Sequence, residues 1–330
     1  MGVMIDGQWH VEEPADRHQN GRFNHPDSVI RSWITADGAP GPSGDGGFKA
    51  EAGRYHLYIC HACPWAHRTM ILRALKGLED AISVSVVNLF KGDDGWTFEE
   101  GVGVVPDPIF GVRYLWELYE KTDPTYTGRV TVPVLWDKKT NQMVNNESSE
   151  IIRMFNSAFN AIAINPELDF YPEPLRGEID VVNARVFNTV NIGVYKSGFA
   201  VSQEAHAEAV TALFETFDWL EDRLAHQRYL AGDQITEADW RLFTTLLRFD
   251  PVYHGHFKCN IRRLVDYPNL WNYARELYQV PGVEGTVDHY QIKQHYYFSH
   301  TNVNPTQLVP LGPDINFSAP HDRDRLQKAA

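Results

Sequence analysis

From Arg54 onward the apolar positions fall into short and long rhythms. Tyr55–Cys60 is a strand-length run of aromatic and aliphatic residues, and Pro64–Leu75 follows with Met70, Ile71, Ala74 and Leu75 able to share one helical face. Ile82–Asn88 reads as a second strand. Residues 89–128 break the rhythm with Gly, Asp and aromatic residues, Gly95-Trp96-Thr97 among them. Thr131-Val-Pro-Val-Leu-Trp136 then reads as a strand, Asn141–Val144 as a short one, and Glu147–Asn156 as a helix.

The order β-α-β, insertion, β-β-α predicts a thioredoxin-like domain. Asn165–Leu175, with its three prolines, reads as a linker. Beyond it the period is helical over Glu178–Val190, Glu204–Leu224, Glu237–Arg248 and Leu270–Leu277. Thr236-Glu-Ala-Asp239 opens the third of these as a capping box, with Asp where Glu or Gln is usual. The fold class expected is therefore α/β plus all-α, a thioredoxin-like N-terminal domain followed by an all-helical C-terminal domain. Residues 1–50, rich in Gly, Pro, Asp and Asn, read as an irregular arm whose Trp9, Phe23 and Trp33 pin it to a neighbouring surface. The boundaries expected are 1–50 for the arm, 51–160 for the α/β domain, 175–285 for the helical domain and 286–330 for an irregular C-terminal extension.

Composition narrows the partners. A formal charge of −13 argues against nucleic acid and anionic membrane. Three cysteines, Cys60, Cys63 and Cys259, are too few for a disulfide framework, and no apolar stretch reaches membrane-spanning length. The N-terminus shows no secretory pattern, and Asp6 stands where a myristoylation motif needs Ser or Thr. The expectation is a cytoplasmic protein.

The chemistry centres on Cys60-His-Ala-Cys63-Pro-Trp-Ala-His67. Pro64 suits the first helical position, which puts Cys63 at or beside the N-cap. Free N–H groups and the helix dipole there favour a negative charge, and the thiolate is the reactive form of cysteine. Ala66 occupies the place where a second cysteine would complete a dithiol site. Cys63 thus reads as a single nucleophile that takes its second thiol from a substrate such as glutathione.

Two further signals converge on that chemistry. Pro133 inside an apparent strand removes a ladder donor, which a cis bond after Val132 at the strand's start accommodates. The Val132 backbone could then pair with the peptide part of glutathione; the bland reading is an edge-strand proline. Glu147-Ser148 opens the next helix, so Ser148 and its N–H can receive an α-carboxylate and Glu147 the accompanying ammonium. Its bland reading is ordinary acidity at a helix start.

Cys63-Pro-Trp-Ala-His-Arg68, Gly95-Trp-Thr-Phe98, Gly128-Arg-Val-Thr-Val-Pro-Val134 and Asn146-Glu-Ser148 together resemble the glutathionyl-hydroquinone reductases, the xi class of the glutathione transferase superfamily. The likeness continues through Asn191-Ile-Gly-Val-Tyr-Lys-Ser-Gly-Phe199, Leu242–Tyr253 and His295-Tyr296, and spans nearly the whole chain. The resemblance implies that Cys63 is the nucleophile and that Trp96, Arg129, Val130, Thr131, Val132, Pro133, Glu147 and Ser148 hold glutathione. It implies that Tyr195 and Tyr296 face the aromatic part of the substrate, so that the C-terminal extension contributes to the site. It also implies glutathione as co-substrate with no tightly bound cofactor or metal, glutathionylated quinols as substrates, and a homodimer built through the helical domain.

Other readings remain open. An omega-like glutathione thioltransferase or dehydroascorbate reductase would share Cys63, although Tyr195 and Tyr296 favour a quinol. A transferase-like binding module would keep the fold without the chemistry. Cys60 reads as a strand-end bystander, or else as a resolving thiol for Cys63. A zinc site from Cys60, His61, Cys63 and His67 needs convergence on one point that a continuous strand forbids. His254, His256 and Cys259 lack a clear fourth ligand and read as loop residues.

Overall fold

The computed structural model describes residues 2–12 and 15–326, and its first strands lie in the arm, where none is expected. Val3–Ile5 (β1) pairs antiparallel with Gln8–His10 (β2), and His18–Gln19 (β3) pairs antiparallel with Arg22–Phe23 (β4). Both hairpins turn on two residues of positive φ, Asp6-Gly7 at 47° and 76° and Asn20-Gly21 at 51° and 77°. That is the type I′ turn whose twist matches the flanking strands. Strands of two or three residues are too short to register as a period, so the turn was the only legible signal.

The described residues group into two compact units. The first holds those before Asp16, Pro26–Leu168 and Thr286–His295. Its sheet runs in the order Ile82–Val86 (β6), Tyr55–Ile59 (β5), Val134–Asp137 (β7), Gln142–Asn145 (β8). The pair β5–β6 is parallel, and β5–β7 and β7–β8 are antiparallel. Every residue of β5 and β7 is buried, as inner strands covered on both faces must be. Pro64–Leu75 (α1) and Ser148–Ser157 (α3) pack on each other, and Trp116–Thr122 (α2) rises from the insertion against β8. The thioredoxin-like order expected from the sequence is the order observed. One strand is shorter than expected: β7 begins at Val134 instead of Thr131, because Pro133 has no N–H and follows a cis bond.

Most of the arm builds into this unit. Met4 and Gly128 exchange both backbone hydrogen bonds at 2.9 Å, and the Asn146 N–H donates to Ile30 O at 3.1 Å. Met4 and Ile34 are fully buried.

The second unit holds Asp16–His25, Asp169–Gly285 and the described residues from Tyr296 on. It comprises Arg176–Val186 (α4), Gly193–Gly198 (α5), Gln203–His226 (α6), Glu237–Arg248 (α7) and Pro268–Tyr278 (α8). The capping box at α7 forms as expected, the Thr236 N–H donating to the Asp239 carboxylate at 2.7 Å. Eleven of the twelve residues of α7 are buried, which makes it the unit's central helix. Two π-helical turns, Phe187–Asn191 and Phe249–Tyr253, interrupt the expected rhythm just before α5 and just after α7.

The tail is less irregular than expected. His289–Ser299 forms a helix (α9), its residues to His295 in the first unit and those from Tyr296 in the second. Its sequence, His-Tyr-Gln-Ile-Lys-Gln-His-Tyr-Tyr-Phe-Ser, has weak helix formers and no clean apolar stripe. Tertiary packing decides it. Farther on, buried Arg323 donates to Leu224 O at 2.6 Å and Gln227 O at 2.9 Å, closing off carbonyls at the C-terminus of α6.

Candidate active site

Cys63 stands at the N-cap of α1 with extended backbone angles, and Pro64 takes the first helical position, as the sequence predicts. Its N–H donates to Cys60 O at 3.0 Å, and its own carbonyl receives the His67 N–H at 3.0 Å, the first bond of the helix. The Cys63 side chain makes no capping bond to the helix, and its half-buried sulfur sits at the helix N-terminus, where backbone N–H groups point outward. The Cys63 Sγ lies 3.5 Å from Val132 O. That contact joins the α1 N-terminus to the loop before β7, whose Val132–Pro133 bond is cis.

Two buried tyrosines hold this loop by its backbone. The Tyr119 phenol on α2 donates to Thr131 O at 2.9 Å and accepts from the Thr131 N–H at 3.1 Å. The Tyr126 phenol donates to Arg129 O at 2.9 Å. Val130, Val132 and Pro133 are buried and Thr131 is half-buried, so the segment is fixed and not a floppy connector.

Glu147 caps α3, its Oε1 accepting from the Ser149 N–H at 2.9 Å and from Ser149 Oγ at 2.8 Å. Its Oε2 accepts from Ser28 Oγ of the arm at 3.2 Å. Ser148 is the first residue of the helix, and its hydroxyl accepts from the buried Arg68 Nη1 at 3.4 Å. A helix N-terminus, a hydroxyl and a guanidinium there make an environment suited to a carboxylate. Trp96 follows Gly95, whose φ of 75° favours glycine and whose missing Cβ leaves room for the Trp9 ring. Its own ring stacks on His295 at 5.1 Å, and Lys91 Nζ sits 5.1 Å from its centroid. Cys63, Trp96, Arg129–Pro133, Glu147 and Ser148 all belong to the α/β unit.

The two tyrosines belong to the helical unit, and there they meet. Tyr195 Oη lies 2.6 Å from Tyr296 Oη, and Tyr253 Oη lies 3.0 Å from the same atom. Burial, reinforced by the neighbouring phenols, holds the Tyr296 hydroxyl well above the ordinary tyrosine range, so it keeps its proton at neutral pH. Phe257 packs 5.5 Å from the Tyr195 ring. The result is an aromatic nest with a chain of three phenols.

Residues 62–158 match the glutathione S-transferase N-terminal domain family, and residues 203–276 match the corresponding C-terminal domain family. The chain is 52% identical to the glutathionyl-hydroquinone reductase YqjG of Escherichia coli K12, over 98% of this chain and 99% of that protein. The structure of YqjG with glutathione bound superposes with a TM-score of 0.91. The reductase PcpF of Sphingobium chlorophenolicum is 53% identical over 95% of this chain and 96% of its own. The structure of the xi-class transferase of Natrialba magadii has a TM-score of 0.91 at 46% identity, covering 99% of this chain and 97% of that one. The chain belongs to the xi class of the glutathione S-transferase family.

Two site features of this xi-class transferase escape the sequence. Tyr253 ends the family-like stretch Leu242–Tyr253, and it meets Tyr296 from the end of a π-helical turn that the sequence does not mark. Tyr119 lies in the segment that breaks the rhythm, with nothing local to mark it. The tempting metal clusters do not assemble: among the described residues no three His, Cys, Asp or Glu side chains converge on one point. Burial pushes the Cys259 thiol up to about 12. Cys60 is buried at the end of β5, and no disulfide joins any of the three cysteines. Among the described residues no helix is long and apolar enough to cross a membrane.

Proposed function

We propose that this protein reductively removes glutathione from glutathionyl-hydroquinones. The Cys63 thiolate attacks the sulfur of the thioether, forming a Cys63–glutathione disulfide. The aromatic carbon leaves with the bonding electron pair, takes a proton and departs as the hydroquinone. A second glutathione thiolate attacks the mixed disulfide, releases glutathione disulfide and restores Cys63.

The observation that carries this reading is the place of Cys63 at the N-cap of α1, with its Sγ 3.5 Å from Val132 O beside Pro133. A thiol there has helix N–H groups to stabilise its anion and the Val132 backbone beside it to pair with a peptide. In the same proposal Val132 pairs with the peptide part of glutathione, with Arg129, Val130, Thr131 and Pro133 forming its seat. Ser148 and the start of α3 receive the α-carboxylate, Glu147 the ammonium, and Trp96 covers the tripeptide. Tyr195 and Tyr296 serve the quinol: a phenol kept protonated donates a hydrogen bond to the ring oxygen and can pass on the proton the carbon needs. Glutathione is the co-substrate, with no bound cofactor required by the reaction. The family resemblance supports a homodimer working in the cytoplasm, which sedimentation and cell fractionation would check.

A single-turnover incubation with a glutathionyl-hydroquinone and no free glutathione tests the reaction. Hydroquinone released in step with one glutathione added at Cys63, by intact mass, is the expected result. An untouched thioether, with Cys63 still labelled by glutathione disulfide, would replace this reading with a thioltransferase.

A further inference from the structure

Tyr119 makes more of its phenol than a core tyrosine needs. Besides the pair of bonds to the Thr131 backbone, its oxygen accepts from Asn146 Nδ2 at 3.3 Å, and Thr131 Oγ1 lies 3.3 Å away. The ring is fully buried, and burial holds its hydroxyl above the ordinary tyrosine range, so it remains a donor throughout the neutral range. Asn146 is itself buried, and Tyr119 is the one hydrogen-bond partner of its side chain among the described residues. Thr131 immediately precedes Val132, and Asn146 immediately precedes Glu147-Ser148. One phenol therefore ties together the two backbone segments that carry these groups.

We infer that Tyr119 is a positioning residue for glutathione, setting the spacing between the Val132 backbone and the start of α3. The inference rests on the glutathione site proposed above. Those two segments grip opposite ends of an extended tripeptide, the peptide part at Val132 and the γ-glutamyl group at Glu147-Ser148. An error in their separation weakens both grips at once, because the ligand spans them. Tyr119 touches neither Cys63 nor the quinol in this scheme, so it acts on glutathione binding and leaves the chemical step alone. Its neighbour Tyr126, with rings 4.9 Å apart, holds Arg129 O and stiffens the same loop from the other side.

The test is calorimetric titration with S-methylglutathione, a thioether that occupies the site without being a quinol conjugate. The proteins compared are wild type, Tyr119→Phe, Asn146→Ala, the double variant and Tyr58→Phe. Tyr58 is also a fully buried phenol with a hydrogen bond, to Asp107 at 2.8 Å, and serves as the control for loss of a core hydroxyl. Tyr119→Phe should weaken binding about five- to tenfold, the range of one or two net hydrogen bonds, and raise KM for glutathione with kcat unchanged. Asn146→Ala should weaken it less, and the double variant no more than Tyr119→Phe alone, because the two share one network. Tyr58→Phe should lose stability but keep wild-type affinity. Equal affinity in Tyr119→Phe and Tyr58→Phe overturns the inference, and should Tyr119→Phe not fold, unchanged affinity in Asn146→Ala does so. A wild type that does not bind S-methylglutathione overturns the glutathione site itself.

Discussion

Acid should loosen the strand that leads to Cys63, and one histidine sets the size of the effect. His56 is the second residue of β5, fully buried. Its Nδ1 is 2.7 Å from Ser83 Oγ and its Nε2 is 2.9 Å from Ser85 Oγ, both on the parallel neighbour β6. The Ser85 hydroxyl donates to Pro106 O at 2.8 Å, so toward His56 it accepts, and Nε2 carries the ring hydrogen. Nδ1 is then the lone pair that receives the Ser83 hydroxyl. This arrangement suits the neutral ring, and burial lowers the His56 pKa to about 4 from its ordinary 6.5.

The folded state thus binds fewer protons than the unfolded chain between those two values, and stability is lost as pH falls through that window. A gap of two and a half units corresponds to about 3 kcal/mol in full, and about 2 kcal/mol of it is lost between pH 7 and pH 5. Buried Asp239 and Asp250, both raised by burial, act with the opposite sign, so the total curve mixes several groups. The difference between wild type and His56→Gln isolates the ring. Urea unfolding from pH 7 to pH 5 should show the wild type losing about 2 kcal/mol more than the variant, whatever their offset at pH 7. Parallel curves, or a His56 imidazole NMR signal titrating near 6.5, would refute the reasoning.

Two further outcomes follow from the same geometry. Tyr296→Phe removes the phenol at the centre of the triad and should slow hydroquinone release in single turnover by about a hundredfold if that chain supplies the proton. Labelling of Cys63 by glutathione disulfide should be unchanged, and equal release rates would reduce the triad to packing. Arg323→Ala strips the bonds from Leu224 O and Gln227 O, while Glu276 loses its 3.6 Å contact to Arg323 but keeps Arg228 at 2.6 Å. The lost charge-assisted bonds should cost about 2 kcal/mol and lower the thermal midpoint of the helical unit by several degrees in calorimetry.

What the sequence disclosed here was whatever a few neighbouring residues can encode. Cys63 was legible because Pro64 marks a helix start, Pro133 because proline contradicts a strand, and the α7 cap because its signal spans four residues. The thioredoxin-like order was legible because β5, α1 and β6 are long enough to show a period. The arm hairpins are marked only by Asp6-Gly7 and Asn20-Gly21, dipeptides that a Gly- and Asn-rich segment does not set apart from loop composition. Helix α9 and the π-helical turn at Tyr253 carry no local signature at all, since packing imposes both. Tyr119 is the sharpest case. Its partners lie 12 and 27 residues away, and no reading of residues 89–128 in isolation could have found them.

The arm shows how far that non-local logic extends. Three of its residues meet the chain immediately before a residue proposed to hold glutathione. Met4 pairs with Gly128, one residue ahead of Arg129, and Ile30 receives the N–H of Asn146, one ahead of Glu147. Trp9 lies against Gly95, one ahead of Trp96, and its indole N–H donates to Asp93 O at 2.9 Å. A sheet edge and two loops would otherwise carry those residues on backbone with few partners, and backbone of that kind opens first in local unfolding. Residues that read as decoration by composition are therefore a frame around all three segments, two of which Tyr119 and Tyr126 also fix. Held from both sides, the segments at Arg129 and Glu147 are ordered before any ligand arrives, and a tripeptide that meets a formed site spends less of its binding energy on ordering it.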